Sequence, residues 1–469
     1  MRMASEAQAA WFVATLLHHA ILHFKPEVSA ALQSVGVRIL PHAAIEVGPP
    51  GICLPDDIPA ALDGAVTTIS FCGTSIGLVQ PIPKPSGAGW KAVEYGGVPV
   101  WWANSNGTVT PAWNLFATCT ALLCAAEERG APTDRYNGFV TADSGRVANG
   151  LLERPTVNEL FALLAAAAVA LHQRRECWFD IGDLVLPPLL FLSHDCDNLF
   201  GNSMWLQLAR AKRLALGTQR RPGPDVRQLT WMMRGWRRPA DGFASEIDEF
   251  MKIEENYGFW SRFYFLMGKR GRFGARTTRE LTRAIVRRIR SPHEVGLHYN
   301  HIKWRSQDSL ERQIGQLADD GGAPVLTGRA HYLSIDVESS PEMWEAVGLA
   351  LDESFGSAEV PMFRLGFSGL FRWFSTSMQR ELKLVECPLL FMDQAMRTRW
   401  PDDPLAGMMN WVRHIGRIGG SISLLFHPGF LSNPEFQPDP EFYIRILEAL
   451  RAAKVRQIST KQMLECFDI

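Results

Sequence analysis

The chain has 469 residues, 46% of them hydrophobic and 21% charged, with a formal net charge of −1. That is length for about two or three domains, and the charge balance excludes nonspecific nucleic-acid binding as the main work. The eight cysteines (53, 72, 119, 124, 177, 196, 387 and 466) form no CxxC pair and read as reduced thiols rather than a disulfide or zinc framework.

The first residues lead into an amphipathic helix carrying Gln8, His18, His19 and His23. It lacks the uncharged apolar core and small-residue cleavage site of a signal peptide, so a cytoplasmic protein is expected. His19 and His23, one turn apart, are spaced to share a metal. A place near the helix C-terminus, where His is favoured, explains them without one. Extended stretches follow at 37–40, 67–79 and 98–103, the last running into the turn Asn104-Ser105-Asn106-Gly107. Helices are expected over 111–129 and 156–174, joined by a polar loop at 130–150. Their apolar runs fall short of the ~20 residues that cross a bilayer and read as buried helices, with no membrane span.

A joint at Leu186-Pro187-Pro188 opens a second half. The expected division is a smaller mixed α/β domain of unknown role over 1–185 and a second domain over 186–469. In the latter, short apolar strands at 189–193, 259–266, 294–298, 330–334, 384–388 and 421–427 alternate with amphipathic helical stretches. One of these starts at Thr277 with Glu280 as a capping box and turns Leu281, Ile285 and Ile289 to one face. The alternation argues for a parallel sheet, open or closed into a barrel, with ligands at the C-terminal strand ends.

The strand Leu189-Leu190-Phe191-Leu192-Ser193 runs on through His194 to Asp195, Cys196 and Asp197. Successive side chains alternate faces, so the two aspartates project together, ~7 Å apart along the strand. A divalent cation on one, with the other left as a base, resolves their repulsion. A strand running out into a polar turn is the alternative. His298, His331 and His427 fall at or beside other strand ends, a gathering that core packing does not call for. His194 and Cys196 face the other way and are expected in the interior.

These residues resemble the polysaccharide deacetylase family, the NodB-homology domain of carbohydrate esterase family 4, from about Leu189 to Glu465. Ser193 to Asp197 resembles the first motif, which implies Asp195 as catalytic base and Asp197 as metal ligand. Glu294-Val295-Gly296-Leu297-His298 resembles the second, with His298 as a ligand. Arg329-Ala330-His331-Tyr332 resembles the third, in which Arg329 holds the base and the Tyr332 position lends a backbone N–H to the oxyanion. Leu424-Leu425-Phe426-His427-Pro428 resembles the fifth, with His427 as general acid. Segments at 351–354, 363–366 and 386–393 also resemble that branch, and Gly150 to Val157 is similar to an uncharacterised domain that precedes such catalytic domains. The family places two histidines four apart in its second motif, whereas here position 302 is Ile, and His301 or His331 is left to complete the set. His331 is slightly favoured.

The resemblance implies a distorted (β/α) barrel of the deacetylase type and one divalent metal, Zn²⁺ first. An Asp-His-His set leaves open coordination positions for hydrolysis. The expected activity is removal of an N-acetyl group from an acetamido sugar or polysaccharide precursor, with a small molecule or glycan as partner. A non-carbohydrate amide as substrate, or a catalytically degenerate glycan- or protein-binding domain, are the alternatives. Arg220 to Arg238 interleaves basic and aromatic residues without a nucleic-acid-binding motif and reads as a lid over the site. Gly268-Lys269-Arg270-Gly271 lacks the P-loop pattern.

Overall fold

A strand apolar on both faces belongs in the middle of a sheet covered on both sides. The run Leu189–Cys196 (β8) is such a strand, buried at every residue. The structure, a computed structural model, describes residues 5–47, 50–87, 89–134, 136, 138–175, 178–197, 208, 212, 243–268, 274–275, 277–300, 306–432 and 439–469.

The first half supplies helices α1 (Glu6–His23), α2 (Pro26–Val35), α3 (Leu115–Leu123) and α4 (Thr156–Gln173). Its strands are β1 (Val37–Leu40), β2 (Gly51–Pro55), β3 (Val66–Phe71), β4 (Thr74–Val79), β5 (Lys91–Tyr95), β6 (Val98–Ala103) and β7 (Thr108–Pro111). A five-stranded sheet runs β1-β2-β7-β6-β5, and β3 and β4 form a separate hairpin. The extended stretch expected over 67–79 is that hairpin, turning at Cys72 and Gly73, both at positive φ. The helix expected from residue 111 begins only at Leu115, because Thr108–Pro111 pairs in the sheet.

The second half supplies β8, β9 (Arg262–Leu266), β10 (Glu294–Tyr299), β11 (Thr327–Ala330), β12 (Leu351–Asp352), β13 (Phe371–Ser375), β14 (Arg380–Glu386), β15 (Phe391–Met392) and β16 (Ser421–Leu425). They form one curled, nine-stranded sheet in the order β13-β14-β12-β11-β10-β9-β8-β16-β15. Every pairing in it is parallel except β13 with β14. Among the described residues no pairing joins β13 to β15, so the hydrogen-bonded order is that of an open, half-barrel sheet.

The strand expected at 330–334 lies earlier, as β11, and His331–Leu333 makes a 3-10 turn. Tyr332 and Leu333 sit at φ 61° and 51°, a left-handed backbone that no strand can hold. The helix expected from Thr277 is capped instead by Thr278, whose hydroxyl accepts from the Leu281 N–H at 3.3 Å. The helix Arg279–Val286 then buries Ile285 and leaves its arginines outward.

The two halves share one apolar core. The Trp11 indole of α1 donates to the Arg372 carbonyl at 2.7 Å and its ring lies 5.2 Å from Phe374. In α4, Asn158 donates to the carbonyls of Ser368 (2.8 Å) and Gly419 (2.9 Å) and accepts from the Ser368 N–H. Among the described residues α4 alone is long and apolar enough to cross a membrane, and 83% of it is buried inside the protein.

Candidate metal and hydrolytic site

Parallel strands put their C-terminal ends on one edge, and there the chemistry collects. Asp195 is the penultimate residue of β8 and Asp197 follows its end. His298 lies in β10 opposite Arg329 of β11, His331 follows β11, Asp393 follows β15, and His427 comes two residues after β16.

Arg329 is fully buried and almost completely spoken for. Its guanidinium donates to Asp195 Oδ1 (2.8 Å), Ser193 Oγ (2.9 Å), the Glu353 carbonyl (2.9 Å) and Glu353 Oε2 (2.6 Å), and it lies 4.7 Å from the Tyr264 ring centroid. Burial pushes its pKa down, but Asp195 and Glu353 outweigh that and raise it. Glu353 also accepts from Arg262 at 3.0 Å, and Arg262 reaches on to Glu294 at 2.9 Å. Five charges of alternating sign thus run from the site through the sheet, which is how buried ions are tolerated. Asp195 keeps Oδ2 toward the site, 3.7 Å from His298 Nε2.

Asp197, His298 and His331 offer one ligand atom each, all within 4.8 Å of one another. His298 Nδ1 faces the Arg329 carbonyl at 3.0 Å, so that nitrogen carries the proton and Nε2 turns its lone pair to the site. Nε2 is 2.9 Å from Asp197 Oδ1 without hydrogen-bond alignment, and His331 Nε2 is 3.6 Å from Asp197 Oδ2. Burial pushes the Asp197 pKa up, but His331 and His298 hold it well below the usual carboxylate range. Burial lowers the His298 pKa, yet Asp195 and Asp197 raise it overall. The rise at His298 reflects the two carboxylates that face its ring, and a divalent cation between those groups would supply the same positive charge. The donor set of one carboxylate and two imidazoles, with open positions, fits Zn²⁺ or a similar ion.

On the far side, Asp393 Oδ2 accepts from the His427 backbone N–H (2.9 Å) and lies 3.1 Å from its Nδ1. Burial alone would lower the His427 pKa; Asp393, helped by Asp197 and Asp195, raises it to about 10. Asp393, though buried, is held below its ordinary range by His427. Behind the site His194 is buried as expected, Nδ1 on the Phe426 carbonyl at 2.8 Å and Nε2 on Glu254 at 2.7 Å.

The structure therefore brings Asp195, Asp197, His298, Arg329, His331, Tyr332 and His427 to one rim. His301 lies outside the described residues, as do the stretch Arg220 to Arg238 and Lys269 to Gly271. Sequence reasoning assigned no role to Glu353 or Asp393. Each directly follows a two-residue strand, too short to show periodicity, and a carboxylate just past a strand end was the available signal.

No family model matches the sequence, and no curated protein matches it. Among solved structures, the chain is similar to the "putative polysaccharide deacetylase from Mycobacterium smegmatis" (16% identity, 58% of this chain and 94% of that one, TM-score 0.34). It is also similar to Puue allantoinase (11%, 60% and 90%, 0.39) and to a family 4 carbohydrate esterase from Streptomyces lividans in complex with acetate (12%, 58% and 91%, 0.27). The chain is similar to polysaccharide deacetylases.

Proposed function

We propose that this protein is a metal-dependent amide hydrolase that removes the N-acetyl group from an acetamido sugar or polysaccharide precursor. One observation carries the hydrolytic reading. A three-residue ligand cluster shares one rim with a carboxylate locked by an arginine and a histidine backed by an aspartate. The choice of an acetamido sugar rests on the motif resemblance, as does the choice of Zn²⁺.

Asp197, His298 and His331 would hold the ion. When bound, a divalent cation supplies Lewis acidity to a carbonyl oxygen and to water. Asp195, with Oδ1 occupied by Arg329, takes the proton of the attacking water on Oδ2. Arg329 and Glu353 keep that carboxylate from turning. The backbone N–H of Tyr332 is assigned to the developing oxyanion. His427, protonated at neutral pH by virtue of Asp393, gives its proton to the departing amine nitrogen. Acetate and a free amine leave.

The test is acetate release from N-acetylglucosamine and its oligomers, with and without chelator. Release that stops with chelator and returns with Zn²⁺ is expected. No release from any acetamido sugar by protein carrying stoichiometric metal would remove the sugar substrate; failure to bind any divalent ion would remove the hydrolase.

A further inference from the structure

The two histidine ligands are held in different ways. Metal-bound imidazoles ordinarily hydrogen-bond their second nitrogen, which fixes the ring. His298 does so through the Arg329 carbonyl. His331 Nδ1 is buried and, among the described residues, has no hydrogen-bond partner. Its ring is held by stacking. The Tyr332 ring lies on it at 4.2 Å and 25°, and the Tyr136 ring lies on Tyr332 at 4.6 Å and 8°.

Adjacent side chains stack like this only if the backbone turns sharply between them. Tyr332 and Leu333 are both left-handed, at φ 61° and 51°, a conformation that costs free energy in residues other than glycine. The outermost ring is also placed deliberately. Asp134 Oδ1 accepts from the N–H groups of Tyr136 (2.8 Å) and Gly138 (2.7 Å), and the loop closes through the Asp134 N–H on the Gly138 carbonyl (2.9 Å). Beneath it, Glu128 and Arg364 pair at 2.7 Å, both buried, tying this loop's base to the second half.

We propose that Tyr136, contributed by the N-terminal half, is a positioning residue that orients the ligand His331 through Tyr332. It stands in for the hydrogen bond that His331 Nδ1 does not make among the described residues. The inference rests on the metal-site reading above, and it gives the N-terminal half a part in the metal site.

The test is titration of the metal-stripped full chain with Zn²⁺, and with Co²⁺ read by its visible absorption, comparing wild type, Tyr136→Phe, Tyr136→Ala, His331→Ala and the double variant Tyr136→Ala/His331→Ala. Tyr136→Ala should weaken the ion by about tenfold to a hundredfold, as loss of an outer-shell contact does, and alter the Co²⁺ spectrum. Tyr136→Phe should restore both, since the ring and not the hydroxyl is used. In the His331→Ala background, Tyr136→Ala should add nothing. Wild-type affinity in Tyr136→Ala, or an equal loss with and without His331, overturns the strut. Wild type that binds no ion overturns the metal reading itself, a different result.

Discussion

Two histidine pairs lie deep in this molecule, and their neighbours set them to opposite effect. His19 and His23 on α1 have rings 4.6 Å apart, and among the described residues none of their four ring nitrogens has a hydrogen-bond partner. His19 packs against Phe161 and Phe367; burial drops His19 to about 3 and His23 well below its usual value, so both are neutral. His298 and His331 have rings 5.0 Å apart and are almost as buried, but Asp197 stands between them. There the His298 pKa rises. Helical spacing alone made the first pair resemble a metal site. What separates the second pair from the first is a carboxylate within reach of both rings.

The comparison breaks most sharply at Asp197. Asp197→Ala should abolish stoichiometric metal, by metal analysis, and reduce acetate release to background; retention of the ion would return His298 and His331 to the class of packed histidines. Asp195→Asn should keep the metal and lower kcat by about 10²- to 10⁴-fold, the usual value of a positioned base. Equal loss of metal in that variant would merge the two aspartates into one role.

Asp393→Asn tests how a carboxylate sets a buried histidine. The His427 pKa should fall from about 10 toward its ordinary value, moving the alkaline limb of the rate profile to lower pH, with activity near pH 8 down roughly tenfold. The stability sign follows from the raised folded pKa. The His427 contribution is fully present below about pH 6.5 and is lost as pH rises through about 10, so wild type and variant should converge in urea titrations at high pH.

The smallest expected effect at pH 7 belongs to His19→Leu, which should leave metal binding and kcat unchanged and be neutral or mildly stabilising. In acid the sign turns. A folded pKa of about 3 means that the unfolded chain gains the proton first, so His19 costs stability as pH falls below 6.5, roughly 3 kcal/mol by pH 4. The leucine variant should resist acid better in thermal melts; a loss of metal from it would overturn the contrast.

Strands that are apolar along their length were legible in the sequence. Val37–Leu40 and Val98–Ala103 fall where the pattern put them, and β8 and β16 share their starts with the expected strands. Legibility failed where burial is achieved by charge. In β11, Thr327-Gly328-Arg329-Ala330 is interior, yet it shows little of the apolar signature because Arg329 is paid off by Asp195 and Glu353. In β12, Asp352 and the following Glu353 and Ser354 are fully buried, and the stretch reads as a polar turn. The site was readable because aspartate and histidine at strand ends keep their identity in any register. Tyr136 was not, since only the fold brings a loop of the first half onto Tyr332.

The row Asp195, Arg329, Glu353, Arg262 and Glu294 does not stop at the floor of the sheet. Glu294 accepts the backbone N–H of Thr460 at 2.9 Å, at the start of the helix Thr460–Cys466, and the Thr460 hydroxyl also reaches Glu294. Like ions along one line of a salt crystal, each member has a neighbour of the opposite sign. The last helix of the chain is thereby the end post of a line whose other end is the proposed base, and a defect at either terminus is felt as an unmatched charge at the centre.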